Sequence, residues 1–147
     1  MNEEFMKTAV IEAKNADCDI PVGAVIVKNN RIITSAHNEK EKNNDITAHA
    51  EIIAIKKASE ILNNWRLDDC EMYITLEPCQ MCAGAIVQAR IKKVYMGAMN
   101  PKAGCAGSVL DLLHVPKFNH QVETYSGILG EECSTMLSEY FRRLRKK

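Results

Sequence analysis

Residues 72–97 read MYITLEPCQMCAGAIVQARIKKVYMG. Met72–Leu76 is β-branched and aromatic, which predicts a strand. Pro78 then opens a segment rich in alanine and methionine, Cys79–Ala89, which predicts a helix. Proline suits a first helical turn because its missing N–H would have no partner there. Lys93–Gly97 returns to strand composition. Strands and helices alternating in this way argue for an α/β fold with helices on both faces of one sheet.

The flanking sequence extends the pattern. Gly23–Val27 (GAVIV) is a short apolar run that predicts a buried strand, and Ile32–Ala36 predicts its hairpin partner. Between them Lys28-Asn29-Asn30-Arg31 is a turn signal, since asparagine tolerates left-handed backbone. The hairpin makes the sheet mixed rather than purely parallel. Glu3–Ala16 carries Phe5, Met6, Ala9, Val10 and Ala13 at helical spacing. A further helix is predicted over Ala48–Leu62, capped by Thr47 or Asp45, with Ile52, Ile53, Ile55, Ala58 and Ile61 on its wider apolar side. Polar Asn38–Thr47 and small-residue-rich Gly97–Ser108 are predicted loops. Val122–Tyr125 predicts a short strand, and Glu131–Arg145 a closing helix with Met136, Leu137, Tyr140, Phe141 and Leu144 on its apolar face. No repeat, low-complexity tract or linker interrupts the chain, so residues 1–147 are expected to form one domain.

Composition excludes several classes. The 147 residues suffice for a domain that buries roughly 68–70% of its unfolded surface. Hydrophobic residues make up 46% and charged residues 26%, which is wrong for a disordered chain. Zero formal net charge excludes a globally basic nucleic-acid binder but leaves room for a local basic patch. No apolar run reaches the ~18 residues of a membrane span, and the acidic N-terminus lacks an apolar signal core. The expectation is a cytoplasmic protein with no membrane partner.

Six cysteines in a reducing compartment point to metal binding or catalysis rather than disulfides. Only Cys79 and Cys82 have ligand spacing, C-x-x-C. Cys18, Cys70, Cys105 and Cys133 are expected to be buried thiols that act as small hydrophobes.

Two segments carry the chemistry: Thr47-Ala48-His49-Ala50-Glu51 and Glu77-Pro78-Cys79-Gln80-Met81-Cys82. Both fall at predicted helix N-termini, where partial positive charge favours thiolate over thiol. Cys79 and Cys82 are one turn apart, on the same side of a helix. With His49 they make a Cys2His set. Structural zinc usually has four protein ligands, whereas catalytic zinc keeps one position for water. Glu51 is two residues from His49, a spacing that points side chains apart on a regular helix, so it is a poor ligand but can serve as a proton shuttle. C-x-x-C alone also fits a redox pair, and Cys105 or His114 would close the site as structural zinc.

Together the two segments match the H-x-E…P-C-x-x-C signature of zinc-dependent nucleobase deaminases. More of the chain resembles one branch, the bacterial tRNA-specific adenosine deaminases of the TadA type. The resemblance rests on PVGAV at 21–25, His37-Asn38, TAHAEI at 47–52, NWRL at 64–67, TLEPCQMCAGAI at 75–86, GAMNPKAGCAGS at 97–108 and FNH at 118–120. It implies a three-layer α/β/α cytidine deaminase-like fold with a five-stranded mixed sheet, and a homodimer. It implies one Zn2+ per subunit on His49, Cys79 and Cys82, with Glu51 as proton shuttle. The implied substrate is the wobble adenosine in the anticodon stem-loop of an arginine tRNA.

By the same resemblance Asn38 hydrogen-bonds the purine, its alternative being a loop-stabilising amide. The Gly97–Ser108 loop would line the RNA groove, with Asn100 where many relatives carry Asp and with Lys102 as a phosphate contact. Phe141 would stack an anticodon base and Arg145 would contact RNA; alternatively Phe141 is core and the basic C-terminus answers the helix dipole. The competing functions are a free nucleobase or nucleoside deaminase acting on guanine or cytosine, and a non-catalytic zinc-stabilised RNA-binding module. Glu51 argues against the last, since a structural site has no use for a proton shuttle.

Overall fold

Asn29 and Asn30 set the first turn. Both take left-handed backbone, at φ 52° and 60°, which suits a two-residue hairpin loop. The computed structural model describes residues 1–146; Lys147, part of the basic terminus, lies outside them. In chain order the elements are α1 (Glu3–Lys14), β1 (Gly23–Lys28), β2 (Arg31–His37), α2 (Lys40–Asn43), α3 (Ala50–Leu62), β3 (Cys70–Leu76), α4 (Gln80–Gln88), β4 (Lys93–Ala98), β5 (Glu123–Tyr125) and α5 (Gly130–Arg145). The strands form one five-stranded sheet in the order β2-β1-β3-β4-β5. β1 is antiparallel to both its neighbours, whereas β3, β4 and β5 run parallel.

Strand side chains alternate between faces. Ala24, Ile26, Met72, Ile74, Val94 and Met96 pack with α3 and α4. Val25, Val27, Tyr73 and Tyr95 pack with α1 and α5. The result is the expected three-layer α/β/α arrangement. α1 lies directly on the start of β1: a Cβ on Gly23 would sit 1.9 Å from the Ala9 carbonyl oxygen. Of the buried side chains that α1 contributes, Met6 and Val10 each stabilise by about 1.5–3 kcal/mol.

One feature was not expected from sequence. Tyr73, Tyr95 and Tyr125 are register partners across β3, β4 and β5. Their rings stack at 4.5 and 5.1 Å between centroids, and Phe5 meets Tyr73 edge-on. Such pairs add about 0.5–1.5 kcal/mol each beyond area burial.

Several expectations need correction. The polar stretch Asn38–Thr47 is not all loop, because α2 forms within it. Buried Asp19 makes this possible by accepting from the backbone N–H groups of Glu41 and Lys42 at 2.9 and 3.3 Å. α3 starts at Ala50, and neither Thr47 nor Asp45 caps it. Asp45 instead accepts from the Thr47 N–H and hydroxyl. The buried stripe of α3 is Ala50, Ala54 and Ala58 rather than the isoleucines, and Ile61 is exposed. Small side chains let this helix approach the sheet closely, with Ile53 and Ile55 flanking the contact. Cys18 is exposed, whereas Cys70, Cys105 and Cys133 are buried as expected. The apolar face of α5 is only partly core: Cys133 is buried, but Phe141 and Leu144 are exposed. Among the described residues no helix is long and apolar enough to cross a membrane.

Candidate metal and active site

His49 and Cys79 occupy the N-cap positions of α3 and α4. Both have extended backbone, at φ −80°, ψ 150° and φ −74°, ψ 179°, and neither side chain caps its own helix. The imidazole and thiol are therefore free to turn toward each other. Cys82 follows one turn into α4 and is buried. His49 Nδ1 lies 3.7 Å from Cys79 Sγ and 3.5 Å from Cys82 Sγ. All three donor atoms fall within 4.8 Å of one another.

This geometry fits zinc. Tetrahedral bonds of about 2.3 Å to sulfur and 2.0–2.1 Å to nitrogen place N and S about 3.5–3.6 Å apart. Two thiolates and one imidazole are also the soft donor set that zinc favours. Among the described residues this is the only such cluster. Neither Cys105 nor His114 joins it. The Cys105 thiol donates to the Ala103 carbonyl, and His114 Nδ1 is held by Asp111.

The electrostatics divide the three donors. The Cys79 thiol is pulled down to about 4, first by a hydrogen bond from the Cys82 thiol and then by His49 and the Cys82 N–H, against the upward pull of burial. Cys82 is correspondingly pushed up, by its bond to Cys79 and by burial. The bond to Cys79 raises His49. Of the three donors only Cys79 is shifted toward the deprotonated form that a metal ligand needs; Cys82 and His49 hold their protons more tightly and would release them on binding.

Glu51, in the first turn of α3, is 4% exposed. Burial pushes its carboxyl up to about 7, against the lowering by its own backbone N–H and by His49. His49 sits on the cap rather than in the helix, so the two-residue spacing no longer separates the side chains. Both line one cavity of about 410 Å3. Asn38, Asn100 and Phe141 line the same cavity. Asn38 already serves the backbone: its Oδ1 accepts from the Ala50 N–H at 2.8 Å, and its Nδ2 donates to the Ile20 carbonyl at 3.1 Å. One lone pair and one N–H remain for another partner. The structure does not bring Lys102 or Arg145 to the cavity; both are exposed outside it.

Asp19, Glu77, Tyr140 and Leu144 also line the cavity, although sequence reasoning gave none of them a part in the site and placed Tyr140 and Leu144 on the apolar face of the closing helix. Glu77 is 1% exposed and accepts hydrogen bonds from the loop after β4. A charged residue directly before Pro78 was the available signal.

The model of the MafB19-like deaminase family matches residues 1–145. The tRNA-specific adenosine deaminase of Bacillus subtilis is 50% identical over 148 residues, covering 99% of this chain and 92% of that protein. Its counterpart in Aquifex aeolicus is 48% identical over 145 residues, covering 97% and 95%. Among solved structures, one from biochemical and structural studies of A-to-I editing by tRNA:A34 deaminases superposes with a TM-score of 0.89 at 40% identity. It covers 92% of this chain and all of that one. Guanine deaminase from Bacillus subtilis matches at 39% identity with a TM-score of 0.66, covering 100% and 96%. By its full-length family match and by its closeness to both relatives, the chain belongs to the MafB19-like deaminase family, in the branch of the tRNA-specific adenosine deaminases.

Proposed function

We propose that this chain hydrolytically deaminates the wobble adenosine to inosine in the anticodon of tRNA, the arginine tRNA with an ACG anticodon being the substrate. The observation that carries this is the cluster of His49, Cys79 and Cys82 donors beside one open cavity, which His49, Cys79 and buried Glu51 line. His49 Nδ1 and the two sulfurs would hold one zinc per subunit, which when bound acts as a Lewis acid activating water. Glu51 moves the protons. Its carboxylate takes one from the attacking water and delivers it to N1 of the purine as oxygen bonds to C6. The carboxylate, free again, takes the remaining proton from the new C6 hydroxyl and gives it to the amine; the C6–N bond breaks, ammonia leaves, and the C6 carbonyl of inosine forms. Burial pushes the Glu51 carboxyl up from its ordinary range, which suits a group that must both take and give a proton.

The substrate side follows from the cavity's outer lining. The free lone pair and N–H of Asn38 suit a purine edge. Asn100 contributes wall, and half-exposed Phe141 offers a face for a base held out of the stack. Lys102 and Arg145 lie outside the cavity, where the RNA backbone would run. The chain would act as a homodimer of one-domain subunits, residues 1–147 each, in the cytoplasm where tRNA is found.

The guanine deaminase at 39% identity keeps a second reading in view. The basic end of α5 and the 0.89 superposition favour the tRNA enzyme. The test is incubation of zinc-loaded protein with an anticodon stem-loop carrying a wobble adenosine, with inosine read by nucleoside mass analysis. Inosine at that position is expected. Turnover of free guanine or cytosine without inosine would overturn the reading.

A further inference from the structure

Glu77 presents a problem of electrostatics. A carboxylate 1% exposed has lost its water and needs compensation. Here the compensation comes from one loop. Oε1 accepts from the Asn100 N–H at 2.9 Å and from the Ser108 hydroxyl. Oε2 accepts from the N–H groups of Ala106 and Ser108, at 2.9 and 3.0 Å. Four donors thus reach one carboxylate from three residues spread over Asn100–Ser108.

The loop is shaped to that carboxylate. A Cβ on Gly104 would lie 2.2 Å from both the carboxyl carbon and Oε1. Only a residue without a side chain lets the loop pass so close. The backbone pins the same two segments together. The Glu77 N–H donates to the Ala98 carbonyl at 2.9 Å, and the Cys105 N–H donates to the Pro78 carbonyl at 2.8 Å. Cys79 follows immediately, and Asn100 and Ala103 stand in the cavity wall.

A buried apolar residue would fill this space without needing any donor. What the carboxylate adds is direction. We propose that Glu77 is a positioning residue that holds the cavity-wall loop, Ala98–Ser108, in register with the Cys79 segment and so shapes the site for the RNA around the target base. The inference rests on the cavity being the substrate site. Glu77 acts through the loop and does not touch the reacting atoms.

The test uses zinc-loaded protein, the same anticodon stem-loop, and the variants Glu77→Gln and Ser108→Ala. Glutamine keeps the shape but sets an NH2 group against backbone donors. The expected result for Glu77→Gln is a KM raised about tenfold with kcat within about twofold, and zinc content unchanged. Amide exchange at Ala106 and Ser108 should quicken by about tenfold. Ser108→Ala should move KM the same way by about threefold, and it decides the matter should Glu77→Gln not fold. Loss of kcat at unchanged KM, loss of zinc, or unchanged amide exchange would overturn the proposal. Wild-type protein that makes no inosine would fail the functional reading alone, because amide exchange needs no substrate.

Discussion

The two walls of the cavity are built differently. One carries His49, Cys79 and Glu51 at the caps and first turn of two helices that rest on the sheet, with Cys82 buried behind them. The other consists of the Ala98–Ser108 loop and the last turns of α5, where Phe141 and Leu144 have left the core. The first wall has little freedom, because each side chain is fixed by a packed helix. The second depends on a few long-range hydrogen bonds and on exposed side chains. Fixed geometry suits proton transfer and metal binding, where small displacements are costly. A wall made of a loop and a helix end offers the exposed groups that a large polynucleotide can meet.

This contrast predicts that changes to the first wall strike kcat and changes to the second strike KM. The largest effect should come from Glu51→Ala, which should retain zinc while kcat falls by about 10^3-fold. Single-turnover inosine formation, with zinc assayed on the same sample, checks this; full activity would break the contrast at once. Next in size is a stability effect in metal-free protein. Glu51 titrates at about 7 when folded, against an ordinary 4.5. Between these values the folded state binds the extra proton, so Glu51 makes stability fall as pH rises from 4.5 through 7. Glu51→Gln should therefore stabilise the metal-free protein at pH 8, by up to about 3 kcal/mol, and change little at pH 4. Urea unfolding at the two pH values measures the difference.

Smaller effects are expected on the second wall. Phe141→Ala should raise KM for the stem-loop about tenfold, the magnitude of one lost base stack, and leave kcat nearly intact. A fall in kcat instead would place Phe141 with the first wall. Lys102→Ala should weaken binding about threefold and reduce the salt dependence by less than one counterion. Binding titrations over a range of salt concentrations would show it.

The same division separates what was legible in the sequence. Every strand and the four long helices could be read, because periodicity, proline and the Asn29-Asn30 turn are local signals. His49, Cys79, Cys82 and Glu51 were singled out by C-x-x-C spacing, predicted helix N-termini and the deaminase signature, and the structure brings His49, Cys79 and Cys82 together. Of the second wall, Asn100 and Phe141 were named through the family resemblance and do line the cavity, but what holds the loop in place could not be read. Glu77 meets donors 23 to 31 residues away, and Asp19 orders α2 from 22 residues away. No local pattern encodes such partners. The alanine stripe of α3 was misread for a related reason. Hydrophobicity favoured its isoleucines, whereas proximity to the sheet selected the smallest side chains.

The stacked tyrosines also determine how the molecule can be watched. Three phenol rings held at 4.5 and 5.1 Å in a fixed order form a coupled chromophore in the near ultraviolet. Its circular dichroism reports the registry of β3, β4 and β5. The single tryptophan, Trp65, is 62% exposed, with the Arg66 guanidinium 5.5 Å over its ring. Its emission answers to its own surroundings after α3 and carries little news of the core. A melting curve followed at the tyrosine bands records the sheet coming apart, and one followed by tryptophan fluorescence records a surface loop.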